Sequence, residues 1–110
     1  MPIEYPSDAD GNALRKVAGE GNDMTGPMDI DFMVVTPTEQ AAFLAATIAT
    51  QIGYGFSISF DEEYQDWICY CTRCMVPDYD AIVLCQSELD ALCKPFGGYT
   101  DGWVTDGNQS

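Results

Sequence analysis

Three observations predict an α+β fold of the ferredoxin-like sandwich class. Two stretches alternate in hydrophobicity with period two, and two others repeat at steps of three and four. The order after a short N-terminal helix is strand, helix, strand, strand, helix, strand, which makes two split βαβ units. Right-handed crossovers then place the two main helices on one face of a four-stranded antiparallel sheet and leave the other face open. With 110 residues the chain can bury one core but not two, so residues 1–110 read as a single domain. Its core covers about 8–104, followed by a short polar tail over 105–110 that is expected to fray.

Each element has its own signal. Ser7-Asp8-Ala9-Asp10 reads as a helix start, with Ser7 as the cap and the acids at the positive end of the dipole. Leu14, Val17 and Ala18 give that helix a narrow apolar stripe, Gly19 and Gly21 stop it, and 22–27 is a turn-rich linker. From Asp29 the period becomes two: Ile30, Phe32 and Val34 share one face, and Asp29, Asp31, Met33 and Val35 the other. Thr36-Pro37-Thr38-Glu39 resembles a capping box with proline at the first helical position. Leu44, Ile48 and Ile52, beside Ala41 and Ala45, are expected to line the buried side of the helix that follows.

Tyr54, Phe56, Ile58 and Phe60 alternate with small residues as a second, half-buried strand. An acidic hairpin over 61–66 leads to a third strand over 67–75, rich in aromatic residues. Val76-Pro77-Asp78 opens a third helix whose apolar positions are Ile82, Cys85, Leu89, Leu92 and Phe96. Gly97-Gly98 ends it, and a last strand runs over 99–104.

Charge narrows function more than any other property. Eighteen Asp and Glu face four Lys and Arg, a formal net charge of -14. Such a body repels phosphate backbones, since nucleic-acid binders displace counterions with Lys and Arg. It attracts basic surfaces and speeds encounter with them, so a basic protein segment is the partner class it suits. No apolar run approaches the roughly 20 residues of a membrane span, and the start lacks the pattern of a signal peptide. These features predict a cytoplasmic protein without a membrane role.

The chain has no histidine, which removes the commonest general base and every site built on imidazole. No catalytic residues are assigned, and no cofactor or metal is expected. Cys69-Tyr70-Cys71-Thr72-Arg73-Cys74 is the one constellation that invites a thiol-based metal or redox reading. Strand alternation puts Cys69 and Cys71 on one face and turns Cys74 away, a poor match to four convergent zinc ligands. Five cysteines then read as reduced, small apolar side chains.

Two acidic groups stand out as contact candidates: Asp61, Glu62, Glu63 and Asp66 in the hairpin, then Asp29 and Asp31 on the first strand. Acids at turn tips and on helix faces are ordinarily just solvated. The open face should show Asp29, Asp31, Met33, Ile68, Tyr70 and Thr72. RNA-binding sheets of this topology need stacked aromatics beside basic residues, whereas a tyrosine among carboxylates suits a cationic peptide or the closing of a weak homodimer. Tyr70 can stack on an arginine, and Trp67 and Trp103 read as packing residues.

Several pieces in order form a recognisable pattern: Asp8-Ala9-Asp10-Gly11 with Leu14, Gly21-Asn22-Asp23, Asp29-Ile30-Asp31-Phe32, Gly53-Tyr54, Thr72-Arg73-Cys74-Met75-Val76-Pro77, and Gly98-Tyr99-Thr100-Asp101-Gly102-Trp103. From about Asp8 to Trp103 the chain resembles the bacterial regulator of ribonuclease E activity B (RraB-like) family. The resemblance implies a small acidic ferredoxin-like protein that binds the endoribonuclease and lowers its activity without cutting or gripping RNA. It also implies a target in the enzyme's largely disordered, arginine-rich scaffolding half. An immunity or antitoxin protein that plugs a cationic nuclease is the alternative among binding proteins.

Overall fold

The computed structural model describes residues 5–108. Its elements are α1 (Ala9–Gly19), β1 (Met28–Thr36), α2 (Glu39–Gln51), β2 (Gly55–Asp61), β3 (Asp66–Met75), α3 (Tyr79–Cys93) and β4 (Tyr99–Thr105), with a turn of 3-10 helix at Lys94–Phe96. The strand order is β2-β3-β1-β4 and every neighbouring pair is antiparallel. This is the expected ferredoxin-like sandwich.

Period-two patterning decides which face is buried. Met28, Ile30, Phe32 and Val34 of β1 lie opposite Met75, Arg73, Cys71 and Cys69 of β3. This face packs against Ala45, Ala46 and Ala49 of α2 and Ile82 and Leu89 of α3 in one core. Leu14 and Val17 add α1 to the same layer, and Trp103 brings in β4. Phe32 and Tyr54 meet edge to face with centroids 6.1 Å apart.

Polar contacts fix the elements on this core. The Trp103 indole N–H donates to Asp10 Oδ1 at 3.1 Å, and the Gln86 amide donates to the same oxygen at 3.0 Å, so one carboxylate ties α1 to α3 and β4. Asp8 joins α1 to α3 again through the Tyr79 hydroxyl. Gly11 sits where a Cβ would lie 1.8 Å from the Pro6 carbonyl oxygen, so only glycine lets the incoming chain cross the first turn of α1.

Several sequence expectations need correction. Asp8, not Ser7, caps α1, accepting from the Gly11 N–H at 2.8 Å. Thr38 caps α2 and accepts from Ala41, so Pro37 precedes the cap and no capping box forms. The buried stripe of α2 is Ala41, Ala42, Ala45, Ala46 and Ala49, while Leu44 is 46% exposed. Glu39, Gln40, Thr47, Thr50 and Gln51 are exposed on the opposite side, and the smallest face of the helix fits against a sheet already filled by bulky side chains. In α3 Cys93 takes the buried position expected of Leu92, which is 37% exposed. The tail is not frayed at 105–108: Asn108 donates to the Asp23 carbonyl at 2.8 Å and accepts from the Asp23 N–H at 2.9 Å. Residues 109–110 lie outside the described residues.

Candidate functional site

Register fixes what the open face presents. Asp29, Asp31, Met33 and Val35 of β1 oppose Cys74, Thr72, Tyr70 and Ile68 of β3. β2 adds Ser57, Ser59 and Asp61, and β4 adds Tyr99 and Val104. The four cations are elsewhere. Arg15 and Lys16 are on α1, Lys94 follows α3, and Arg73 points to the helical side. There its guanidinium lies 3.8 Å from the Tyr54 ring centroid and donates to the Ile52 carbonyl at 2.7 Å.

One end of this face is hollow. Met33, Val35 and Ile68 line it together with Tyr64, Tyr70 and Tyr99, and Asp61, Asp66 and Asp101 complete it, around a volume of about 360 Å³. Two local devices shape the hollow. The β4 register slips between Phe32 and Val34, so Asp101 and Gly102 together face Met33 as a bulge. Gly102 takes a φ of 84°, which a side chain would resist, and the bulge leaves Asp101 beside Met33. At the other wall Asp61 Oδ1 accepts from the backbone N–H of Glu63 at 3.0 Å and of Tyr64 at 3.3 Å, which orders the hairpin tip carrying Tyr64.

Asp61 and Asp66 are direct cross-strand partners at the end of the hairpin. Like charges placed opposite each other destabilise a strand pair. Tyrosine faces attract cations, guanidinium above all, and carboxylates take two of its N–H groups at once. The hollow thus combines the two chemistries that hold an arginine side chain.

The structure brings some predicted site residues together and keeps others apart. Asp61, Asp66 and Tyr70 line the hollow, while Glu62 and Glu63 are exposed in the hairpin loop beyond it. Asp29 and Asp31 share the open face, but Asp29 lies six residues along β1 from Val35, about 20 Å away. Asp31 accepts a hydrogen bond from the Thr72 hydroxyl. Tyr64, Tyr99 and Asp101 were not anticipated as site residues. The Asp101-Gly102 dipeptide inside a strand was the available signal, because such a pair marks a bulge.

Cys69 and Cys71 are buried with sulfurs 3.9 Å apart, and Cys74 is exposed on the opposite face. Contact with Cys69 and then burial push the Cys71 thiol far up, and burial raises Cys93 to about 11. Both favour the unreactive thiol. Among the described residues no group of three or more His, Cys, Asp or Glu is placed to hold a metal ion, and no helix is long and apolar enough to cross a membrane.

A search of curated proteins returns no match to the chain. The family profile described as regulator of ribonuclease activity B does match, over residues 7–105, a span that takes in α1, the whole sheet and the hollow. On that coverage the chain belongs to the regulator of ribonuclease activity B family.

Proposed function

We propose that this chain is a non-catalytic regulator whose open sheet face holds a basic, arginine-bearing segment of a ribonuclease, with the scaffold region of ribonuclease E as the leading candidate. The observation that carries this reading is the opposed pair Asp61 and Asp66, joined by Asp101 around three tyrosines on a face without a Lys or Arg. An arginine in the hollow would relieve the carboxylate repulsion and stack on a ring at the same time. Family membership supports regulation of a ribonuclease. The charge of -14 supports a basic partner over direct contact with RNA.

The test measures two things on the same samples: capture of the enzyme's arginine-rich segment and the rate of RNA cleavage. The wild-type chain should slow cleavage and capture the segment. Capture should weaken strongly from 50 to 500 mM salt, as the Debye length falls from about 14 to about 4 Å. RNA cut by this chain alone would end the non-catalytic reading. Capture indifferent to salt would end the electrostatic one.

A further inference from the structure

The two edges of the sheet are built differently. β4 carries Asp101 and the Gly102 bulge, devices that blunt an edge against further pairing. β2 has no bulge in its register with β3, no proline, and no charge before Asp61. Its central run Phe56-Ser57-Ile58-Ser59-Phe60 reads the same in both directions about Ile58. Phe56 is 52% and Phe60 40% exposed on the helical side of this strand.

We propose that the β2 edge pairs antiparallel with β2 of a second copy about a two-fold axis through Ile58, joining two sheets into one. Antiparallel pairing is the arrangement that a palindromic strand satisfies. Phe56 falls opposite Phe60 of the second copy, Ser57 opposite Ser59, and Ile58 opposite its own equivalent. Each pair therefore matches in size and polarity, and the edge amide and carbonyl groups gain partners. Gly55 falls opposite Asp61, which avoids a direct clash of carboxylates.

Charge selects the same occupant. Two bodies of -14 each repel, and the repulsion is least where neither carries charge near the contact. The helix beside this edge meets that condition, since α2 has one charged residue, Glu39 at its start. Phe43, Thr47 and Gln51 of α2 form an uncharged groove with Phe56. A basic segment finds no carboxylate in this groove, whereas a second copy brings an identical neutral one. The two Asp61 residues end six strand positions apart, about 20 Å, beyond the screening length of about 8 Å at physiological salt.

Sedimentation equilibrium of the full chain over a concentration series tests this without any ribonuclease. Self-association is expected, and it should strengthen as salt rises, opposite in sign to capture of a basic partner. Ser57→Asp together with Ser59→Asp puts two like-charge pairs across the axis at exposed positions and should weaken association by on the order of tenfold. Circular dichroism should show their fold unchanged. As a check on register, Ser57→Cys chains mixed with Ser59→Cys chains, both with Cys74→Ser, should form interchain disulfides faster than either chain alone. A chain that stays monomeric up to the millimolar range in high salt would overturn the proposal. So would association untouched by the two aspartates, or cross-linking without preference for the mixture.

Discussion

Replacing Asp61, Asp66 and Asp101 by asparagine removes three charges from the hollow while keeping side-chain size, so affinity for an arginine-rich peptide should fall and the fold should stand. The size of the loss follows from exposure. Asp101 is exposed and the other two are half-buried, which is the regime where an ion pair contributes about 0.2–1 kcal/mol. Three such contacts amount to about 0.6–3 kcal/mol, or roughly a 3- to 150-fold rise in Kd at 1.36 kcal/mol per tenfold. Calorimetric titration at two salt concentrations reads both the loss and the flatter salt dependence that should accompany it. Tyr70→Ala and Tyr99→Ala should each weaken binding by a stacking contribution of about 0.5–1 kcal/mol while leaving the salt dependence intact. Stability supplies an independent sign. Asp66→Asn relieves the opposition with Asp61, so the free protein should gain a few tenths of a kcal/mol while its binding weakens. Unchanged affinity in the triple variant, or a destabilised Asp66→Asn, would refute the reasoning.

Two further predictions concern the fold that holds the site. Trp103→Phe removes the indole donor to Asp10 but leaves Gln86 on the same oxygen, so the loss should be about 1–3 kcal/mol. In urea denaturation this would appear as a midpoint lowered by about 1 M with an unchanged slope. The contact between Asp8 and Tyr79 should fail at both ends of the pH scale. The Tyr79 hydroxyl and the Gly11 N–H hold the Asp8 carboxyl below its ordinary 3.8, so its contribution is present above that value and is lost as pH falls through the lower folded value. The same bond pushes Tyr79 up to about 12 from 10.0, so its contribution is full below 10 and is lost as pH rises to about 12. Amide exchange in α1 should quicken in both ranges, and an α1 indifferent to both would show that this bond does not hold it.

The strand faces were legible because alternation is a local property. Asp29, Asp31 and Met33 on β1 fixed the face shared by Ile68, Tyr70 and Thr72 once the hairpin set the register. The candidate site was legible only in part, because it depends on two departures from regular structure. The bulge at Gly102 decides where Asp101 lies, and the turn at Asp61 decides where Tyr64 lies. Neither follows from hydrophobic period. Helix α2 differs for another reason: side-chain size points to Leu44 as a core residue, but the packed face is the alanine stripe opposite Glu39, Gln40, Thr47, Thr50 and Gln51, because the sheet beneath it is already filled by bulky side chains.

The abundance of acids alone would attract a basic partner to any part of this surface, and the placement of the four cations makes one face differ. Arg15 donates to the Tyr5 carbonyl at 2.8 Å, and Arg73 is stacked on Tyr54 and bonded to Ile52, so both hold backbone on the helical side. The field of the open face is therefore not compensated from within the sheet. Local and global charge can be separated by adding one lysine at two places. Thr72 lies two positions along β3 from Tyr70 on the open face, about 7 Å away and inside a Debye length of about 8 Å. Ser87 is exposed on α3, which packs on the other side of the sheet. Thr72→Lys and Ser87→Lys change net charge equally, so a partner drawn by total charge would respond to both alike. If the hollow is the contact, Thr72→Lys should weaken capture several-fold more than Ser87→Lys. Equal losses would assign the attraction to the whole body and deny the sheet face a special role.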